Sequence, residues 1–427
     1  MKSLHFLFFI LLTAIPAAQA QTYTLEQCKQ MAIENNRDLQ KAKLDISMAK
    51  EDKASAFTKY FPSISATSMG FTGAHHLVRG TVNMPQMGIT DMPLSLVKNG
   101  VITEISAMQP IFAGGQIVTG NKLASIQKEV TRLQYNMTEK DVLQNVTEYY
   151  WQVVSLRANL RTLDAALAQL QEVRRLTADY VNAGVTTRND LLRVELKQQE
   201  VESQRLTVEN GLQLTLLVLG QLVGAESGSF EVADNLDTNP ASPDNYFIAP
   251  DVAVLGRDEM ALTQKAVDAQ RLQTRMEVGK NLPTLSIGAA GMHQYLMKEG
   301  KTNLIGMASL SIPISSWWGG SHAIRKAKMA RMQADHTRLD TQEKLVIDIQ
   351  SAWNNLNEAY KQIGIARKSV ESSDEDLRIE ADSYRSGTQD LTDLLDAVTI
   401  NTQCQSQLIQ ACATYQSRLN DYLRKTR

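Results

Sequence analysis

The chain has 427 residues, with 44 Lys and Arg against 46 Asp and Glu and 21% charged residues in all. A chain with this share of charged residues does not contain several apolar helices of about 20 residues. A multi-pass helical membrane protein is therefore excluded. The net charge of -2 gives no electrostatic reason to expect a nucleic-acid partner. None of the ten prolines falls in 111–239 or 314–427, so very long helices can run unbroken there.

The first twenty residues are predicted to be a secretory signal peptide. Lys2 precedes an apolar stretch, and residues 18–20 match a small-x-small cleavage site. We therefore expect the mature chain to start at Gln21.

Two copies of one unit account for the mature chain. Each copy is predicted to form a helix, a short strand, a loop, a short strand, a long helix, a glycine turn and a final helix. The first copy covers 21–224, the second covers 253–427, and a connector at 225–252 contains a cluster of prolines. The long helices are predicted at 115–180 and 320–385, and the first helix of the first copy at about 24–59.

A coiled-coil seam runs along each long helix, with apolar residues at alternating spacings of four and three. The first seam consists of Val142, Val146, Tyr149, Val153, Leu156, Leu160, Leu163, Leu167 and Leu170. The second repeats its phase 203 positions later, as Leu345, Ile349, Ala352, Leu356, Ala359, Ile363, Ala366 and Val370. The agreement in phase favours a duplication over chance.

Four short segments are predicted as strands, near 61–71, 101–110, 282–293 and 304–313. Their length of about 10 residues suits a tilted membrane-spanning β-strand. Four strands cannot close a barrel and open edges cannot face lipid, so several copies must share one barrel if these segments cross a membrane. A small soluble sheet capping a coiled coil is the alternative. Residues 72–100 are predicted to form an external loop.

A proline and a Gly-Gly pair precede each long helix, where a turn is predicted. These junction residues are Pro110, Gly114, Gly115, Pro313, Gly319 and Gly320. Further turns are predicted at Gly184 and Gly387, after the long helices.

This order of signal peptide, repeats and junctions, with a Tyr-x-x-Gly-Thr motif at 384–388 and Asp-Leu-Leu-Asp-Ala at 393–397, resembles the TolC-like outer membrane efflux proteins. The resemblance covers nearly the whole mature chain. It implies a mainly α fold with a membrane β-barrel. In a homotrimer, each chain would give four strands to a shared 12-stranded barrel in the outer membrane and its helices to a tunnel across the periplasm.

The resemblance also implies a function and partners. The chain would be the passive outer membrane channel of a tripartite efflux system in a Gram-negative bacterium, contacting outer membrane lipid. A periplasmic adaptor would connect it to an inner-membrane pump of the RND, ABC or MFS type. The alternatives are the outer membrane component of type I protein secretion and, from another class, a secreted coiled-coil stalk. The substrate stays open among drugs, metals and polypeptides.

By the same resemblance, the turns at Gly184 and Gly387 would form the periplasmic entrance. Asp190 and Tyr384 would be partners in a closing hydrogen-bond network. Asp393 and Asp396 would form carboxylate rings facing the lumen, where such rings select cations. The alternative is that these Asp residues cap helices after a glycine turn.

The sequence departs from the family pattern at Gln389, where a basic residue often follows the Gly-Thr pair. Either Arg385 or Arg188 substitutes for that basic residue, or the gate is held less tightly.

No catalytic, cofactor or metal site is predicted. The chain lacks His-Glu-x-x-His, Gly-x-Ser-x-Gly, P-loop and dinucleotide motifs. His75, His76 and His293 have no carboxylate or thiol at metal-ligand spacing. The three cysteines are odd in number, and Cys404 and Cys412 lie too far apart on a predicted helix for a disulfide. All three are interpreted as small core residues.

Overall fold

The computed structural model describes residues 21–225, 230–233, 236–296 and 299–427. The predicted signal peptide lies outside the described residues. The α-helices in the described parts are α1 (Leu25–Asn35), α2 (Arg37–Thr58), α3 (Gln116–Asn182), α4 (Arg188–Val223), α5 (Pro250–Ala253), α6 (Asp258–Gly279), α7 (Ser316–Arg385) and α8 (Leu391–Thr426). The strands are β1 (Gln21–Tyr23), β2 (Ser63–Thr72), β3 (Val78–Met84), β4 (Ile89–Leu96), β5 (Asn99–Ala113), β6 (Phe230–Val232), β7 (Thr284–Leu296) and β8 (Glu299–Ser311).

The chain divides into two compact units that do not coincide with the predicted repeats. Each unit combines matching parts of both repeats. Among the described residues, the first unit comprises those within 21–41, 136–257 and 344–427, and the second comprises those within 42–135 and 258–343.

Asn36 divides the helix that the sequence predicts as continuous over residues 24–59. Its backbone is extended, with φ -63° and ψ 129°, and its N–H ends α1 on the carbonyl of Ala32. Its side-chain oxygen accepts hydrogen bonds from the N–H groups of Asp38 at 2.9 Å and Leu39 at 3.3 Å, which caps α2. The prediction of one helix was wrong because asparagine serves here as the cap of both helices.

In the first unit the predicted seams lie largely inside the core. On α7, Ile349, Leu356 and Ile363 are each at most 2% exposed. On α3 the buried tyrosine is Tyr150 rather than the neighbouring Tyr149 of the predicted seam. The seam periodicity therefore predicts which face of each long helix is buried, although several seam residues, such as Leu156, Leu160 and Leu167, are only partly buried.

Surface ion pairs repeat the same duplication. Arg175 contacts Glu172 at 2.7 Å and Asp179 at 3.2 Å. Arg378 makes the same two contacts with the residues 203 positions further on, at 2.7 Å and 3.3 Å. All six side chains are exposed, so solvent screening leaves each pair with little effect on stability. These two matching sets of ion pairs are a second indication of the internal repeat.

Two tyrosines of α8 form hydrogen bonds with the backbone of the predicted connector. The hydroxyl of Tyr415 donates to the carbonyl of Ala241 at 2.7 Å, and the hydroxyl of Tyr422 accepts from the N–H of Ile248 at 2.9 Å. The connector also supplies β6, which pairs in parallel with β1.

The second unit holds a four-stranded antiparallel sheet in the order β2-β5-β7-β8. A bulge between Pro110 and Phe112 interrupts the pairing of β5 with β7, so Pro110 lies inside β5 at an irregularity that tolerates proline. Large apolar side chains of the edge strands are exposed, with Ile64 74% and Leu304 83% exposed. β2 and β8 each have one edge that no other described strand covers.

The predicted external loop at 72–100 connects β2 to β5 as expected, but it is not irregular, because it contains the hairpin β3–β4. A 3-10 turn, Pro85–Met87, connects the two strands. Pro93 lies within β4, opposite Thr81. The hairpin forms a sheet of its own in which both strands are edge strands, the position where proline is tolerated.

The two strand-to-helix junctions differ from each other. Gly114 and Gly115 have φ of 58° and 73°, the left-handed conformation that favours glycine, and α3 follows at Gln116. At the second junction α7 already begins at Ser316, two residues after Ile314. The prediction of a turn at Gly319 and Gly320 was therefore wrong.

Gly320 has a packing role in place of the predicted turn. A Cβ at this position would collide with the side chain of Asn281. The indole N–H of Trp317 donates to the carbonyl of Asn281 at 3.0 Å, which holds the end of α6 against the start of α7. Glycine at this position leaves room for the Asn281 amide, which a Cβ would displace.

The cysteines give a simple labelling prediction. Cys28 and Cys412 are 0% and 1% exposed, whereas Cys404 is only partly buried, so the prediction of three core cysteines was wrong for Cys404. Burial also raises the pKa of the Cys412 thiol to about 11. We expect a maleimide at pH 7 to label the folded protein at Cys404 alone and all three after denaturation, as peptide mass spectrometry would show. Labelling of Cys412 at the rate of Cys404 would contradict the packing of α8.

Candidate functional site at the hairpin tips

The two helical hairpins of the first unit end in the same turn. Gly184 and Gly387 have φ of 72° and 73°. In the first turn the N–H of Val185 donates to the carbonyl of Tyr180 at 2.9 Å, and in the second the N–H of Thr388 donates to Ser383 at 3.0 Å. These bonds belong to a Schellman motif, which terminates a helix at a glycine in the left-handed region. The sequence prediction of both turns agrees with this geometry.

Replacing Gly387 with Ala should destabilise the second turn. No neighbouring atom lies within 4 Å of the position that a Cβ would take there, so the cost of about 1–2 kcal/mol comes from the left-handed backbone alone. Gly364 of α7 is a matched control, since it also has open space but no positive φ. Gly364→Ala should be neutral or stabilise by up to about 1 kcal/mol. A thermal unfolding series would contradict this account if the two variants had the same midpoint.

Tyr384 is buried at the tip and bonds to a buried threonine. Its side chain is 5% exposed, and its hydroxyl lies 2.8 Å from the hydroxyl of Thr177, which is 0% exposed. Thr177 already donates to the carbonyl of Val173 at 2.8 Å, so Tyr384 is the donor in the pair. Burial raises the pKa of Tyr384, which keeps this hydroxyl protonated as a donor.

Two further hydrogen bonds cross between the hairpins. The hydroxyl of Tyr180 donates to the carbonyl of Arg385 at 2.8 Å. Arg193 Nη1 donates to the hydroxyl of Thr392 at 3.0 Å. Together with the Tyr384 bond they join the α3–α4 hairpin to the α7–α8 hairpin at three points, which we call the tip latch.

Asp190 caps α4 and does not bond to Tyr384. It lies in a capping box with Thr187, whose hydroxyl donates to the carboxylate at 2.8 Å and accepts from the N–H of Asp190. The hydroxyl of Thr186 also donates to this carboxylate and is the main cause of the lowered pKa of Asp190. Within one chain, Tyr384 therefore does not bond to Asp190 as predicted, because the capping residues Thr186 and Thr187 already bond to that carboxylate.

Asp393 occupies the equivalent position in the second repeat, 203 residues after Asp190, in the first turn of α8. The side chain of Gln389 donates to it at 2.6 Å, as Thr186 does to Asp190. Asp396 lies one helical turn further on, and both carboxylates are exposed on the same helix face. Gln389 therefore contacts Asp393 rather than the first hairpin.

An arginine that sequence reasoning did not name makes the cross-hairpin contact. Arg385, one of the two proposed substitutes for a basic residue at 389, pairs with Asp382 of its own helix at 3.2 Å. Arg193 lies three residues after Asp190 on α4 and reaches Thr392 of α8. The sequence could have indicated Arg193, because a residue three positions after Asp190 lies on the same face of the helix.

Across the described residues, no group of three or more His, Cys, Asp or Glu side chains is arranged to hold a metal ion. One described helix, α4, is long and apolar enough to cross a membrane by length and composition. The capping box at its start and the contacts of its buried face with α3 and α8 place α4 in the helical hairpin.

A family model described as "Outer membrane efflux protein" matches residues 29–225 and 249–422. The chain belongs to this family. It is an outer membrane efflux channel protein that extends into the periplasm. The match leaves out most of the connector, in keeping with its position between the repeats.

Relatives and solved structures agree with the family. The chain is 23% identical to the outer membrane efflux protein BepC of Brucella suis biovar 1 (strain 1330), over 93% of this chain and 84% of BepC. It is 24% identical to the outer membrane protein TolC of Escherichia coli (strain K12), over 69% of this chain and 62% of TolC. The Campylobacter jejuni CmeC outer membrane channel has the same fold, with a TM-score of 0.76 at 16% identity over 94% of this chain and 85% of CmeC.

Proposed function

We propose that the protein is the passive outer membrane channel of a tripartite efflux system and acts as a homotrimer. The observation that carries this proposal is the four-stranded sheet with two open edges and exposed apolar side chains, in a chain of the outer membrane efflux family. An open sheet edge cannot face lipid, so the edges of β2 and β8 need partners. Copies of the same chain supply them if twelve strands close into one barrel.

Exposed leucines on α4 support the association of copies. Leu196, Leu206 and Leu214 are 65%, 52% and 65% exposed. A row of large apolar residues on a long helix is typical of a surface that packs against another chain. In the proposed trimer these leucines lie between neighbouring subunits.

The hairpin tips are proposed as the periplasmic gate. The tip latch, which includes Tyr384, would hold the α7–α8 hairpin against the α3–α4 hairpin in the closed state. Asp190 fixes the start of α4 through its capping box, so its contribution to closing is indirect. Asp393 and Asp396 would face the lumen as carboxylate rings once three chains assemble.

The proposed partners are a periplasmic adaptor and an inner-membrane pump of the RND, ABC or MFS type. A channel without a nucleotide-binding motif has no energy source of its own, so transport must be driven by such a pump. No catalytic step is proposed for this chain.

A deletion experiment tests the efflux function. Removing the gene should increase the sensitivity of the bacterium to several drugs, dyes or detergents, and the wild-type gene supplied in trans should restore resistance. Unchanged sensitivity together with loss of a secreted polypeptide would replace efflux with type I secretion. Unchanged sensitivity and secretion would refute both transport proposals.

A further inference from the structure

Three exposed methionines surround the tip of the β3–β4 hairpin. Met84, Met87 and Met92 are 47%, 76% and 58% exposed. Because β3 and β4 pair only with each other among the described strands, these side chains do not serve the core of the four-stranded sheet. Packing of that sheet therefore does not account for them.

The backbone brings the three methionines to the same end of the hairpin. Met84 precedes the 3-10 turn as its N-cap and Met87 is the last residue of that turn, so the two lie within one short turn of each other. Val82 pairs with Met92 across the hairpin, so these two residues share a face of the sheet. Met84 follows Val82 by two positions and lies on that same face. The register shift between Val82 and Met84 inserts its extra residue in β4 and leaves this alternation along β3 intact.

The turn that holds these methionines is conformationally restricted. Pro85 occupies its first position and fixes φ there, and Gly88 ends it in the left-handed region with φ 71°. The N–H of Gly88 donates to the carbonyl of Pro85 at 3.2 Å. A restricted turn reduces the entropy that three flexible thioethers lose on binding one ligand.

We propose that Met84, Met87 and Met92 bind one soft monovalent cation, Cu(I) or Ag(I), through their thioether sulfurs. Thioethers are soft ligands that select Cu(I) over the harder divalent ions. Magnesium and calcium require oxygen ligands, and zinc prefers imidazole, thiolate and carboxylate. Three neutral sulfurs around a single positive charge need no counter-charge from a carboxylate.

The site lies at one defined end of the sheet. Thr72 of β2 pairs with Asn99 of β5, and the hairpin connects these two ends. α2 and α3 join the opposite ends of the same strands. Under the proposed function the hairpin end faces the outside of the cell, whereas cation binding itself does not depend on efflux.

Silver titration of the purified full-length Cys404→Ser protein in detergent tests the site, because Ag(I) needs no reductant and the accessible thiol of Cys404 would otherwise bind it first. We expect calorimetry to show one Ag(I) per chain, and the triple variant Met84→Leu, Met87→Leu and Met92→Leu to bind at least tenfold more weakly. Leucine keeps the apolar character and approximate volume of each side chain. Circular dichroism and the assembly state should match those of the wild type, since the hairpin lies outside the core.

Met329 and Met332 of α7 provide the matched control, since they are 58% and 55% exposed and three residues apart. Met329→Leu with Met332→Leu should keep the wild-type affinity for Ag(I). X-ray absorption of the Cu(I) form should show sulfur ligands only. The proposal is overturned if the triple variant binds like the wild type or if the control loses binding to the same extent. Failure of efflux in the deletion test would leave this result unaffected.

Discussion

A variant that combines Tyr180→Phe, Tyr384→Phe and Thr392→Val is expected to open the resting channel. Each change removes one hydrogen bond of the tip latch and keeps the shape of the side chain. At about 0.5–1.5 kcal/mol per bond, the three together stabilise the closed state by about 1.5–4.5 kcal/mol. The open-to-closed ratio should therefore rise by roughly ten- to a thousandfold. Single-channel recordings in a planar bilayer would measure it.

Thr402→Val is the control for this variant. The hydroxyl of Thr402 donates to the carbonyl of Val398 in its own helix, so its loss does not touch the contact between hairpins. The control should conduct like the wild type. If the resting conductance of the triple variant is the same as that of the wild type, the latch bonds persist in the open state or do not limit opening.

The second large effect is expected from Asp393→Asn with Asp396→Asn, which removes six carboxylates from a trimer. Unit charges about 8 Å apart in water interact by about 0.5 kcal/mol before screening. Six of them attract a cation by about 1 kcal/mol after screening at 0.1 M salt. The cation-to-anion permeability ratio should therefore fall by roughly fivefold, as reversal potentials in a salt gradient would report.

Asp244→Asn with Asp251→Asn removes the same charge from the connector and serves as the control. It should leave the permeability ratio unchanged, because these residues lie outside the proposed lumen. If both double variants shift the ratio equally, Asp393 and Asp396 do not line the constriction.

Much of the helical fold could be predicted because its causes are periodic. The seam on α7 recurs at spacings of four and three, and it identifies the buried face that Ile349, Leu356 and Ile363 form. The break at Asn36 escaped prediction because one asparagine in a polar helix gives no periodic signal. Its role depends on the local backbone and on its bond to the carbonyl of Leu222 at 3.0 Å, a residue far away in sequence.

Glycines show the same limit. Gly184 and Gly387 follow the last periodic residues of long helices, a position typical of a C-terminal cap. Gly320 shows the same local pattern near a helix start, but what distinguishes this position is the side chain of Asn281 packed against it. Close approach by a tertiary neighbour cannot be read from adjacent residues.

The glycine turns at which the gate is proposed were predicted, but the hydrogen bonds between the two hairpins were not. Tyr384 was identified, whereas its partner Thr177 lies 207 residues away and has no distinguishing motif. The methionine cluster was missed for a related reason. Residues 72–100 were interpreted as a loop, and only the pairing of Val82 with Met92 brings Met84 and Met92 to one face.

Conductance of the purified wild-type protein in a planar lipid bilayer tests the central claim most directly. The account predicts discrete single-channel steps that are rare at rest, become frequent in the tip-latch variant and carry cations in preference to anions. A protein that inserts into the bilayer and conducts nothing, in both the wild type and the latch variant, would contradict it.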